Sequence, residues 1–181
     1  MTLYEAPFAS PVGNLALIAS DVGLVAILWE GDDPARVRLA ERTAGARYPV
    51  LVQAAAELAE YFSGERRAFS VPLDLRGTDF QRSVWTALLA IPFGETRSYG
   101  DIARSLGRPG ASRAVGAANG RNPVSIIAPC HRVIGSGGAL TGFAGGLDTK
   151  GWLLDFERRI AGKEWRAAPG EDENYVYAIA L

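Results

Sequence analysis

Two short apolar runs, residues 14–19 and 24–29, stand on either side of Ser20-Asp21-Val22-Gly23, a polar break ending in glycine. Alternation of this kind around a turn predicts two paired strands. The pattern then changes period. Leu51, Ala55, Leu58 and Phe62 recur at helical spacing, predicting a helix over residues 51–62 that stops at Ser63-Gly64. Residues 35–43 predict a further helix before it, and residues 69–73 a strand after it. Strand, strand, helix, helix, strand describes a small α/β unit over residues 1–77.

A second unit starts at Thr78-Asp79-Phe80-Gln81, a capping box before Phe80, Val84 and Leu88 at helical spacing. Ser98-Tyr99-Gly100-Asp101 repeats the capping pattern, and the stripe Ile102, Ala103, Leu106 ends at Gly107-Arg108-Pro109-Gly110. Ala111, Ala114, Val115 and Ala118 recur at i, i+3, i+4 and i+7, predicting a buried face on a helix over residues 111–119. Two short helices joined by a glycine turn predict a helix-turn-helix within a mainly helical unit, residues 78–160, so the chain reads as α+β. A tail, 161–181, contains a Pro/Gly/acidic linker (167–174) and an alternating, strand-like end (175–181).

Composition excludes several classes. The 181 residues are 48% hydrophobic and 22% charged, which fits a folded globular chain rather than a disordered one. No window approaches the length of a membrane span, and the first residues show no basic stretch followed by an apolar run, since Glu5, Asn14, Ser20 and Asp21 interrupt, so cytoplasm and no membrane partner are the expectation. One Cys and one His cannot build a disulfide framework or a zinc site, and no metal is expected. Asp21, Asp32, Asp33, Glu57 and Glu60 show no ligand spacing and read as solvated surface. The net charge of −1 conceals an asymmetry: residues 1–79 carry seven basic and eleven acidic side chains, residues 80–160 ten and five. The middle block is where a polyanion would dock.

With Ala114, Val115 and Ala118 inward, the second helix of the pair turns Ser112, Gly116, Ala117 and Arg113 outward. That face lacks the Asn, Gln and Arg side chains that read base edges in the major groove. It suits a close, sequence-independent approach in which Arg113 is a wedge; a surface salt bridge is the plain alternative. Residues 126–129 form an apolar extended run leading to Cys130 and His131, with Arg132 after them. A lone cysteine is commonly a buried small hydrophobe, and a lone histidine a satisfied core residue. A thiol beside cationic and hydrogen-bonding groups instead gains thiolate character and becomes a nucleophile. Side chains of adjacent extended residues point apart, so proton transfer between Cys130 and His131 calls for a bridging water.

Pro129-Cys130-His131-Arg132-Val133-Ile134 resembles the active-site signature of the O6-alkylguanine-DNA alkyltransferases (methylated-DNA--protein-cysteine methyltransferases). Tyr99-Gly100, Arg113-Ala114-Val115-Gly116, Asn122-Pro123-Val124, Gly142–Leu147 and Lys150–Glu157 extend the likeness across residues 78–160. The resemblance implies repair by direct reversal. Cys130 accepts the alkyl group of O6-alkylguanine, and of O4-alkylthymine, irreversibly and without a cofactor. His131 takes the thiol proton through a water, Glu157 orients that histidine, and Asn122 ties the helix-turn-helix to the active-site segment. Arg113 fills the gap left by the flipped base, and Tyr99 assists the flip and bonds guanine N3. Ser112, Gly116 and Ala117 line the DNA face, and Phe143, Gly145, Gly146 and Val133 the substrate pocket. The implied partner is double-stranded DNA, bound as a monomer and largely without sequence preference. Phe143 departs from the tyrosine of many members, and the single Cys and His exclude the N-terminal zinc of some. The competing readings are a noncatalytic alkylated-base-binding protein, which Cys130 opposes, and a helix-turn-helix regulator with a redox cysteine.

Overall fold

The computed structural model describes residues 2–162; the expected linker and terminal strand of the tail lie outside them. The N-terminal half is a four-stranded sheet, β1 (Leu3–Ser10), β2 (Gly13–Ala19), β3 (Leu24–Trp29) and β4 (Arg42–Ala44), packed against α1 (Pro49–Ser63). Strand order is β3-β2-β1-β4, antiparallel except for the short β1–β4 pairing. The C-terminal half contains α2 (Asp79–Leu89), α3 (Tyr99–Ser105), α4 (Ser112–Gly120) and α5 (Leu147–Ile160), with the two-residue strands β5 (Arg97–Ser98) and β6 (Val133–Ile134) paired in parallel. The fold is mixed α+β.

Both capping boxes form: Thr78 with Gln81 starts α2, and Ser98 with Asp101 starts α3. These sequence signals act locally, because each side chain satisfies an orphan N–H of its own first turn. The sheet shows what local signals miss. Strand β1 is interrupted by Glu5 and Pro7, so its apolar pattern is weak. Pro7 lies beyond the residues that pair with β4, where β1 has a single neighbour and a missing N–H is tolerated.

The helix expected over residues 35–43 does not form. Asp33 Oδ1 accepts from Ala35 N at 2.8 Å, and Arg36 hydrogen-bonds Asp32, the Ile27 carbonyl and the Asn122 carbonyl. These side-chain and tertiary bonds outcompete helical ones, and β4 follows. The strand expected at 69–73 reduces to one bridge, Leu24 to Leu73. Pro72 has no N–H to give, and its carbonyl accepts from Leu24 N at 2.7 Å. Asp32 and Glu57 are not solvated as expected: Asp32 is ion-paired to Arg36 beneath the surface, and Glu57 is buried under bonds from Ser70, Val71 and Gln53.

One hydrophobic core runs through both halves, from Leu17, Ile27 and Leu58 to Val84, Ile127 and Leu153. The edge strand β3 faces the C-terminal half, where Ile27 N donates to Pro123 O at 2.8 Å. The sheet edge is thereby closed by the segment that leads to Cys130.

Candidate active site

Helices α3 and α4 pack on each other and on α2, where Trp85 Nε1 donates to Ala118 O at 2.8 Å. The buried face of α4 is Val115, Ala118 and Asn119. Ala114, expected inward, is exposed, since the Trp85 anchor turns the helix toward Asn119. The exposed stripe is Arg113, Ala114, Ala117 and Gly120, with Ser112 and Gly116 half-buried at its border. A β-carbon on Gly116 would touch the Tyr99 ring at 3.8 Å, so Tyr99 stands beside this stripe. Among the described residues no acidic group forms an ion pair with Arg113.

The segment from Asn122 to Arg132 is bracketed by side-chain bonds. Asn122 Nδ2 donates to Ala128 O at 2.7 Å, and its Oδ1 accepts from Val124 N at 3.1 Å. Within this bracket Ile126 has φ of 76°, a left-handed conformation that β-branched residues rarely adopt. Cys130 to Arg132 is a 3-10 turn rather than extended chain, so the two side chains diverge as in a helix. Cys130 Sγ lies 3.9 Å from Ser125 Oγ and makes no hydrogen bond with His131. Burial pushes the Cys130 thiol up, against smaller opposing effects of Asn122, Ser125, Lys150 and Arg36. The resting group is therefore a thiol, and the thiolate character expected from neighbouring Arg132 is absent.

Arg132 serves another partner. It forks onto Glu157 through Nε at 2.8 Å and Nη2 at 2.9 Å, and its Nη1 donates to Ile91 O at 2.6 Å. His131 Nε2 faces Glu157 Oε1 at 2.7 Å, which assigns the proton of neutral His131 to Nε2. Nδ1 is buried without a protein partner, leaving its lone pair free to accept a proton. Burial would raise the Glu157 carboxyl, but His131 and Arg132 hold it well below the usual carboxylate range. Burial lowers the His131 imidazolium, opposed by Glu157. Glu157 is thus an anion and His131 a neutral base at pH 7.

The loop between β6 and α5 carries the expected pocket residues. Phe143 packs edge-on to Trp29 of β3, ring centres 5.4 Å apart, and to His131 at 6.4 Å. A β-carbon on Gly145 would lie 2.8 Å from the Trp29 ring, so a glycine is needed there by the protein itself. Gly146 has φ of 88° at the start of α5. Lys150, buried, donates from Nζ to Val133 O and Thr141 O, both at 2.6 Å. Burial lowers its ammonium to about 8, with Cys130 opposing. The Tyr99 hydroxyl meets Thr141 Oγ1 at 3.1 Å. The structure therefore brings Cys130, His131, Glu157 and Asn122 into one buried cluster. Phe143 stands against it with Gly145 and Gly146 in the same loop, while Val133 on β6 shares the Lys150 ammonium with Thr141, and Tyr99 on α3 meets Thr141. Arg113 stands apart on the exposed helix. Among the described residues no group of His, Cys, Asp or Glu could hold a metal ion, and no helix is long and apolar enough to cross a membrane.

Sequence models of two domains match: the 6-O-methylguanine DNA methyltransferase DNA-binding domain over residues 79–159, and its ribonuclease-like domain over residues 3–75. The chain belongs to the 6-O-methylguanine DNA methyltransferase family. A methylated-DNA--protein-cysteine methyltransferase of Mycolicibacterium paratuberculosis is 49% identical over 152 residues, covering 83% of this chain and 89% of the relative. One from Methanosarcina acetivorans is 48% identical over 158 residues, covering 86% and 98%. Among solved structures, the Mycobacterium tuberculosis OGT in complex with DNA shares 46% identity at a TM-score of 0.78, covering 87% of this chain and 94% of that one. Family membership fits the Cys130 cluster. The geometry also brings in groups to which sequence reading gave no role of their own: Ser125 against the thiol, Lys150 under the pocket loop, Trp29 behind Phe143, and Tyr61, whose hydroxyl reaches Glu157. None had a local signal, since each is defined by its partner.

Proposed function

We propose that the protein repairs alkylated DNA by transferring the alkyl group of O6-alkylguanine to Cys130 in one irreversible step. The observation that carries this is a buried thiol on the same tight turn as a neutral histidine, itself oriented by an ionised, buried carboxylate. His131 Nδ1 accepts the thiol proton through a water, since no direct bond joins the two. The sulfur attacks the alkyl carbon in line, an S–C bond forms as the O6–C bond breaks, and guanine leaves with the bond electrons and takes up a proton. Tyr99, released from Thr141, bonds N3 of the departing base. No group in the cluster is placed to cleave a thioether, so each molecule reacts once. The reaction needs a reduced thiol, which suits the cytoplasm.

Residues 1–77 serve as scaffold and residues 78–160 bind DNA and react. The DNA partner is supported by the OGT complex named above and by the exposed small-residue stripe of α4, which permits close approach without base readout. Arg113 fills the stack once the target nucleotide is extruded. Phe143, Gly145, Gly146 and Val133 bound the base pocket. Intact mass after incubation with an O6-methylguanine duplex tests this reading: one methyl on the Cys130 peptide, lost in Cys130→Ser, is expected. Multiple turnover, or methyl elsewhere, overturns it. EDTA is expected to leave the transfer unchanged.

A further inference from the structure

Tyr61 lies on α1, in the half of the molecule assigned to scaffold, yet its hydroxyl donates to Glu157 Oε1 at 2.8 Å across 96 residues of sequence. Glu157 accepts five hydrogen bonds. On Oε1 they come from Tyr61, His131 Nε2 and Arg132 Nη2; on Oε2 they come from Arg132 Nε and, at 3.1 Å, from Gly94 N. Tyr61, His131 and Glu157 are all fully buried, so solvent does not compete for these oxygens. We propose that Tyr61 is a positioning residue for alkyl transfer, its hydroxyl holding the Glu157 carboxylate in place and limiting how strongly that carboxylate draws a proton onto His131.

This rests on the reading of His131 as the base for Cys130. In a dry site a carboxylate divides its charge among its donors, and removing one strengthens its pull on the rest. Without the Tyr61 hydroxyl, Oε1 keeps only Arg132 and His131. The imidazolium becomes easier to form, and an imidazolium has no lone pair on Nδ1 to accept the thiol proton. The other charged groups acting on His131, Arg132 on the turn and Lys150 on α5, oppose that protonation. Tyr61 adds to their effect while bearing no charge, since burial and the nearby Glu157 hold its phenol well above the ordinary value.

Tyr61→Phe in the full chain keeps the ring against Phe62, Phe69, Phe93 and Phe156 and removes only the hydroxyl. His131 is the only histidine, so its imidazole titration is read by NMR without overlap. In Tyr61→Phe that titration, and the acid limb of the single-turnover rate on an O6-methylguanine duplex, are expected to move up together by about one pH unit. Rates at pH 8 should stay within roughly twofold, because both proteins are then in the neutral form. In a Glu157→Gln background the same substitution should move neither. A 3,5-difluorotyrosine at position 61, a stronger donor, should move the titration down, and it decides the matter if Tyr61→Phe does not fold. Coincident titrations, or a loss of rate equal at every pH, overturn the role of Tyr61. Failure of the unmodified protein to take up methyl would overturn the functional reading instead, while the imidazole titration would still judge Tyr61.

Discussion

Two buried glutamates, one in each half of the molecule, use similar means to different ends. Glu57 on α1 accepts hydrogen bonds from Ser70, Val71 and Gln53, with the Arg66 guanidinium further off at 3.9 Å, and thereby pins the 70–71 segment beside the sheet. Glu157 on α5 accepts from His131 and Arg132 as well as from neutral donors. Burial alone would raise either carboxyl; hydrogen bonds reverse the effect in Glu57, and the charges and hydrogen bonds of His131 and Arg132 reverse it in Glu157. Only Glu157 has a titratable partner on the acceptor's own oxygen. The wider pattern agrees: Ser20 and Glu57 are the buried polar side chains of the N-terminal half, against Asn119, Asn122, Ser125, His131, Arg132, Lys150 and Glu157 in the other. Burying polar groups is costly, so their concentration marks where chemistry, rather than packing, has set the sequence.

The sharpest test exchanges each carboxylate for an amide. Glu157→Gln should slow transfer by about a hundredfold near neutral pH, the scale of a misdirected general base. Glu57→Gln should leave the rate within roughly twofold while costing about 1–3 kcal/mol of stability, the scale of a disturbed buried bond set. Single-turnover rates alongside denaturant unfolding measure both, and a catalytic deficit in Glu57→Gln would erase the distinction drawn between the halves.

Next in size is Arg113→Ala on the exposed face of α4. Replacing the stacking lost on extrusion matters for a duplex and not for a free base. We expect a slowing of about tenfold or more on duplex O6-methylguanine, by the same extrusion cost of a few kcal/mol, and little change with free O6-benzylguanine. Equal losses on the two substrates would show that Arg113 acts within the pocket.

Gly145→Ala probes the seam between the halves. Its β-carbon would meet the Trp29 ring at 2.8 Å, a cost of about 1–3 kcal/mol if the ring must shift. The loop bearing Phe143 should loosen with it, and Trp29→Leu, by making room, should restore part of the lost stability. Thermal unfolding of the two single variants and the double variant checks this.

The smallest effect is on pH dependence. The Lys150 ammonium is lowered to about 8 from its ordinary 10.5, so between those values the unfolded chain holds a proton that the native protein has released. Stability contributed by this group therefore rises with pH across that window and is flat outside it. Because the raised Cys130 thiol contributes with the opposite sign above pH 9, Lys150→Met is expected to make the slope of unfolding free energy between pH 8 and 10.5 more negative than in the unmodified protein.

Much of the fold is legible locally. The runs that became β2 and β3 and the capping boxes of α2 and α3 each carry their signal within a few residues. Strand β1 does not, because Glu5 and Pro7 break its alternation and pairing with β2 defines it instead. Spacing places Ala114 on the inner face of α4 and the structure places it outside, since alanine fits either side and Trp85 decides. In the site, Cys130 and His131 announce themselves by adjacency. Glu157 enters only by resemblance, and Tyr61 not at all: a hydroxyl 96 residues away acquires its role from packing.

Ile126 gives the site a mechanical character. Its backbone is wound to a φ of 76° inside a clasp whose two jaws are the Asn122 amide bonds to Ala128 and Val124, and Cys130 sits four residues past the winding. A torsion held at a costly angle by its surroundings behaves as a loaded spring. Opening either jaw is expected to let the chain unwind toward ordinary angles and to carry the sulfur with it. Damage to Asn122 would therefore be felt as misalignment of the thiol, even though the asparagine need never touch the alkyl group.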